Sequence, residues 1–224
     1  MIADLSRGGE IGIRARLRIS WSRDCAGSNP ALGTTKLSLI LKNPQWKVSP
    51  VKIGILSDTH DQIERVKKVV KILNKERVSL VIHCGDVAAP FTLQFYKDLN
   101  CPIKFLFGNN TGDIYRHFTY SKKFGLHDYE FGTFFSLTIE GKKISVYHGD
   151  HQEITEALIK CGDYDCVFSG HDHIARIEKR GKVLFVNPGS LLDPYKEGMK
   201  LPSIAIYDSA DHQAKLIGVD EYRI

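Results

Sequence analysis

The feature that most restricts this chain is a set of short apolar runs, each ending in residues able to bind a cation. Val51–Leu56 leads into Ser57-Asp58-Thr59-His60-Asp61, Leu80-Val81-Ile82 into His83-Cys84-Gly85-Asp86, and Ile103–Phe107 into Gly108-Asn109-Asn110. Further on, Lys143–Tyr147 ends at His148-Gly149, and Cys166-Val167-Phe168 at Ser169-Gly170-His171-Asp172-His173. Apolar runs this short, bounded by glycine and polar residues, read as buried strands.

Between the first runs lie helical patterns. Asp61 to Lys75 carries Ile63, Val66, Val69, Val70 and Leu73 at the spacing of an amphipathic helix, and Pro90 opens a second helix bearing Phe91, Phe95 and Leu99. This βαβαβ order predicts parallel strands joined by right-handed crossovers. Residues 111–132 read as a short helix and loop rich in aromatics, including Tyr115, His117, Phe118, Tyr120 and Phe124. Phe134–Ile139 and Lys143–Tyr147 form a hairpin around Gly141, and a helix spans about Gln152 to Lys160. Arg176–Lys179, Val183–Val186, Ile204–Tyr207 and Lys215–Val219 read as antiparallel strands.

Asp58, His60, Asp86, Asn109, His148, His171 and His173 therefore sit at five strand ends. Carboxyl ends of strands in an open α/β sheet converge on one crevice. Seven oxygen and nitrogen donors exceed what one ion needs, and two ions sharing a bridging carboxylate would use them. Mixed imidazole and oxygen ligands without thiolate suit manganese first, with iron, zinc or nickel as alternatives. Gly85, Gly108, Gly149 and Gly170 adjoin these residues and allow close backbone approach. Each motif alone is equally a capped turn; the ordered set of five is what carries the inference.

Asp58-x-His60, Gly85-Asp86, Gly108-Asn109, His148-Gly149 and Gly170-His171-x-His173 together resemble the calcineurin-like metallophosphoesterases. The short chain and Asn187-Pro188-Gly189-Ser190 resemble the small YfcE-type phosphodiesterases. The resemblance spans residues 51–224 and implies two mixed β-sheets packed as a sandwich flanked by helices. It implies a first ion on Asp58, His60 and His173, a second on Asn109, His148 and His171, and Asp86 bridging them. These seven would also be the catalytic residues of a phosphodiesterase. Two ions ~4 Å apart would hold a hydroxide that attacks phosphorus in line with the leaving oxygen. Three positions depart from common family patterns: Asn110 where many relatives have His, Thr111 where small members often have an acid, and Asp150 where many have His. They bear on substrate preference and leaving-group protonation. His83, His117, His127 and His151 read as structural or surface residues, with His151 nearest to a ligand in sequence.

Charge separates the rival functions. The net charge is +5, and residues 1–50 hold eight Lys/Arg against three Asp/Glu, so residues 51–224 are neutral overall. That balance argues against a nuclease or other nucleic-acid partner for the main domain. A protein-binding scaffold of the same fold, such as the retromer subunit, is the other alternative, and the intact ligand set argues against it. The expected partner is a small phosphodiester, and a homodimer is compatible with the sequence. No apolar stretch approaches the roughly 20 residues of a membrane span. Five scattered cysteines without a CxxC pair suggest reduced thiols and a cytoplasmic protein; Cys161 and Cys166 read as core packing rather than a zinc pair.

Residues 1–50 do not read as a domain. Turn signals follow the alternating Arg14, Arg16 and Arg18, and Gly27-Ser28-Asn29-Pro30 matches the in-frame translation of a transfer-RNA T-loop. The expectation is a disordered extension or a gene-model artefact, with translation beginning at Val51.

Overall fold

The computed structural model describes residues 50–223. Expectations for residues 1–49 lie outside them.

The first strand, β1 (Lys52–Leu56), is followed by helix α1 (Ile63–Lys75) and β2 (Leu80–His83). A 3₁₀ helix (Pro90–Tyr96) leads to β3 (Ile103–Leu106), helix α2 (Ile114–Lys123) and β4 (Tyr129–Gly132). Then come β5 (Phe134–Ile139), β6 (Lys142–Tyr147), helix α3 (Gln152–Lys160) and β7 (Cys166–Phe168). The chain closes with β8 (Arg176–Arg180), β9 (Val183–Asn187), β10 (Ser203–Asp208) and β11 (Gln213–Gly218).

The strands form two mixed sheets. One is ordered β11-β10-β1-β2-β3-β4, the other β5-β6-β7-β9-β8. β1, β2, β3 and β4 pair in parallel, as do β6, β7 and β9, while β10, β11, β5 and β8 add antiparallel partners. The sandwich follows from alternation along the strands. Ile53, Ile55, Ile82 and Leu106 face the other sheet and meet Ile144, Val146, Cys166, Phe168 and Val186. Leu56, Val81 and Phe105 belong to a second buried cluster, which α1 joins through Val66, Val69, Val70, Ile72 and Leu73. Each such aliphatic side chain stabilises the fold by ~1.5–3 kcal/mol relative to exposure. α3 covers the outer side of the second sheet through Ile159, against Val167, Val183 and Phe185.

Five sequence readings change. The segment after Pro90 is a 3₁₀ helix, and α1 begins at Ile63 rather than Asp61. Residues 111–132 contain a strand besides the helix: β4 extends the first sheet, with Tyr129 opposite Ile103 and Phe131 opposite Phe105. β4 alternates for only four residues, Tyr129 and Phe131 against Glu130 and Gly132, too short a run to read as a strand, and the open edge of β3 and the stacking of Phe131 on Phe105 and Phe107 place it. The last four strands divide between the sheets, and β9 pairs in parallel with β7 as well as antiparallel with β8. Cys166 is core, as expected, but Cys161 is exposed. Among the described residues, no helix is long and apolar enough to cross a membrane.

Candidate metal centre

The loops after β1, β2, β3, β6 and β7 meet at one end of the sandwich and bring all seven sequence-derived candidates together. Main-chain bonds knit them. Asp58 N donates to Gly85 O at 2.9 Å, and His60 N donates to Asp86 O at 3.2 Å, tying the first loop to the second. Gly170 N donates to His148 O at 2.8 Å, tying the fourth to the fifth. His171 N donates to Asp58 Oδ2 at 2.9 Å, which joins the two sheets.

Five of the seven candidates have left-handed backbones: Asp58 (φ 51°), His60 (39°), Asp86 (59°), His171 (70°) and His173 (61°). Each such residue costs on the order of 1–3 kcal/mol, tolerated only where surrounding contacts over-determine it. Strain gathered at one point of the surface marks a site whose side-chain directions matter more than local comfort.

Two groups of donor atoms result. In the first, His173 Nε2 lies 3.2 Å from Asp58 Oδ1 and 3.2 Å from His60 Nε2, and His60 Nε2 lies 3.8 Å from Asp58 Oδ1. In the second, Asn109 Oδ1 lies 2.9 Å from His148 Nε2 and 2.8 Å from His171 Nδ1. Asp86 stands between them, with Oδ2 3.8 Å from His60 Nε2 and Oδ1 3.5 Å from His148 Nε2. Donors about 2.1 Å from a common ion sit ~3.0–3.4 Å from one another, so both groups have cation spacing.

The donor chemistry fits a cation as well. Asp58 Oδ1 is buried and, despite the nearby His173, accepts no hydrogen bond among the described residues. A buried carboxylate oxygen left so is costly unless a positive charge serves it. His148 Nδ1 donates to Cys84 O at 2.9 Å, so the neutral ring turns the lone pair of Nε2 toward Asn109 Oδ1. Two acceptors at that distance need a proton or a cation between them. Without a cation His148 is drawn toward its protonated form: burial opposes this, but the hydrogen bond to Asp86 and the charges of Asp58 and Asp86 outweigh it. His60 is shifted the other way, chiefly by burial. For Asp86 burial is overcome by the neighbouring His148 imidazole and by two hydrogen bonds from Asn110, which hold its carboxyl below the usual range.

The neighbouring glycines are required for space. A Cβ on Gly108 would lie 2.2 Å from Asp86 Oδ1 and 2.7 Å from His148 Nε2, and one on Gly170 would lie 1.9 Å from Ser57 Oγ and 2.6 Å from Asp58 Oδ2. No other residue lets these turns approach so closely.

Of the departing positions, Thr111 closes its own turn, Oγ1 accepting from Gly108 N at 2.8 Å. Asp113, the nearest acid, caps α2 by accepting from Arg116 N. His151 is exposed at the start of α3, outside the cluster. His83 is fully buried: its Nδ1 accepts from Gly85 N at 3.2 Å and its Nε2–H bonds Thr59 Oγ1 at 3.1 Å, so it braces the first loop against the second. Its position directly before Cys84-Gly85-Asp86 was the available signal. The Asn187-Pro188-Gly189-Ser190 turn has a similar task that motif reading did not supply. Asn187 Nδ2 donates to Gly170 O and to Asp172 Oδ1, and Ser190 Oγ donates to Asp58 O at 2.9 Å.

The chain is similar to known proteins along most of its length. Residues 51–212 match the calcineurin-like phosphoesterase superfamily domain. Phosphodiesterase MJ0936 of Methanocaldococcus jannaschii is 37% identical over 159 residues, 71% of this chain and 93% of that protein. The solved structure of an archaeal phosphodiesterase superposes with a TM-score of 0.68 at 36% identity, covering 75% of this chain and 99% of that one. YfcE, a phosphoesterase from E. coli, shares the fold with a TM-score of 0.57 at 16% identity, over 75% of this chain and 100% of its own.

Proposed function

This chain belongs to the calcineurin-like phosphoesterase superfamily, and from that membership we propose that it is a phosphodiesterase working with two divalent ions. The observation that carries the reading is the pair of donor groups meeting at Asp86. Asp58 Oδ1, His60 Nε2 and His173 Nε2 would hold the first ion, and Asn109 Oδ1, His148 Nε2 and His171 Nδ1 the second. The two oxygens of Asp86 face opposite groups and would bridge them. Manganese suits these donors best, with iron, zinc and nickel as alternatives. Such a pair of ions lowers the pKa of water and neutralises phosphate charge.

The protein's share is arrangement. Cys84 O fixes the tautomer of His148, His171 N holds the second oxygen of Asp58, and Asn110 holds Asp86. These partners keep the donors aimed before substrate arrives, so little reorganisation accompanies the reaction. Similarity to phosphodiesterase MJ0936 supports a diester as substrate.

Hydrolysis of bis-p-nitrophenyl phosphate by the purified protein, with metal content measured in parallel, tests the reading. Turnover should vanish on chelation, return with manganese, and be absent in Asp86→Asn, which should lose metal while keeping its circular dichroism spectrum. Activity surviving exhaustive chelation would exclude the mechanism. Two bound ions with no hydrolysis of any diester would favour a binding scaffold instead.

A further inference from the structure

We propose that Tyr195, on the loop between β9 and β10, is a positioning residue that fixes His173 for the first ion; this rests on the two-ion reading above. Tyr195 Oη lies 2.9 Å from His173 Nδ1, with the two rings edge to face at 5.8 Å. On its other side His173 turns Nε2 to Asp58 Oδ1 and His60 Nε2, each 3.2 Å away.

Imidazole ligates through a nitrogen lone pair, so the ring proton must sit on the other nitrogen. With Nε2 in the donor group, that proton is on Nδ1, and Tyr195 Oη accepts it. The reverse bond, with the phenol donating to Nδ1, would place the ring proton on Nε2 and close that lone pair to a cation. The Tyr195 oxygen therefore selects the ligating tautomer. His148 meets the same need through a backbone carbonyl, Cys84 O. For His173 the acceptor is instead a side chain from a loop outside every ligand motif.

That loop is itself held in place. Leu191 N donates to Asp58 O at 3.2 Å, and Leu192 N to Ser190 Oγ at 3.0 Å. Arg65 on α1 donates to Leu191 O at 2.9 Å and pairs with Asp193, two residues before Tyr195. The tyrosine is 62% exposed, so its ring is not core packing, and its hydroxyl bond is the specific contact.

Calorimetric titration of the metal-free protein with manganese tests this. The wild type should show two binding events. Tyr195→Phe keeps the ring and loses only the oxygen. It should weaken one event by about 10–100-fold, the usual effect of removing an outer partner of a ligating histidine, and leave the other unchanged. Its metal-free melting temperature should equal that of the wild type. Two events of wild-type affinity in Tyr195→Phe would overturn the inference. So would a loss seen only in Tyr195→Leu, because the ring rather than the oxygen would then matter. A wild type that binds no ion would overturn the two-ion reading itself and this inference with it.

Discussion

Asn110 holds both oxygens of Asp86: its backbone N–H donates to Oδ1 at 2.8 Å and its side-chain amide donates to Oδ2 at 2.9 Å. In the structure that amide is already engaged on the carboxylate between the two donor groups. Asn110 orients Asp86, and it has no titrating proton to give a leaving group.

Substrate preference follows from that. Alkyl monoesters have poor leaving groups and gain from an acid that protonates the departing oxygen; nothing at position 110 supplies one. p-Nitrophenyl phosphate, whose leaving group departs without a proton, should be cleaved with a much higher kcat/KM than an alkyl monoester such as glycerol 3-phosphate. Asn110→His should raise the alkyl monoester relative to p-nitrophenyl phosphate by about tenfold or more where general-acid help is gained. A wild type that cleaves the alkyl and the p-nitrophenyl monoester with equal kcat/KM would refute the leaving-group argument.

Gly108→Ala tests the placement of Asp86 and His148. The new methyl would lie 2.2 Å from one and 2.7 Å from the other, so at least one must move. Bound metal per chain should fall and diester turnover should drop by at least about 10-fold, the scale seen when a supporting partner is lost. The fold, followed by circular dichroism, should persist because Gly108 lies beyond the end of β3. Full metal content and turnover in this variant would contradict the arrangement.

His83 gives a pH dependence with a defined sign. Burial pushes its pKa down to about 3, while an unfolded histidine titrates at 6.5. Between those values the unfolded chain binds a proton that the folded chain does not. Stability is therefore lost as pH falls from 6.5 toward 3. At pH ~4.5 this single group removes up to about 2–3 kcal/mol. Denaturant melts of wild type and His83→Gln across this range should show a shallower acid slope in the variant. Parallel slopes would mean that His83 does not stay neutral in the fold.

We propose that residues 1–50 are dispensable. The family match begins at residue 51, where β1 is about to start. A chain starting at Val51 should keep its diester turnover, with stability changed by less than about 1 kcal/mol. A loss of several kcal/mol on truncation would show that the segment packs on the domain.

The sequence by itself determined the strands that carry the candidate ligands and the end of the fold where they gather. Buried parallel strands need continuous apolar runs, so Val51–Leu56, Leu80–Ile82 and Ile103–Phe107 were legible, as were the polar residues that follow them. Tertiary structure alone decided how those residues are held. Asp58 takes its backbone from Gly85, its carboxylate partner from His171 and its carbonyl partner from Ser190, up to 132 positions away in the chain. β4 joined the first sheet because β3 offered an open edge and Phe105 and Phe107 a stacking surface; its own four-residue alternation, Tyr129-Glu130-Phe131-Gly132, is too short to specify a strand. The left-handed backbones of His60 and His171, the hold of Asn110 on Asp86 and the bond of Tyr195 to His173 carry no local signature either. Local sequence expresses backbone propensity and burial period, whereas a hydrogen-bond partner is chosen only when packing brings distant segments within about 3 Å.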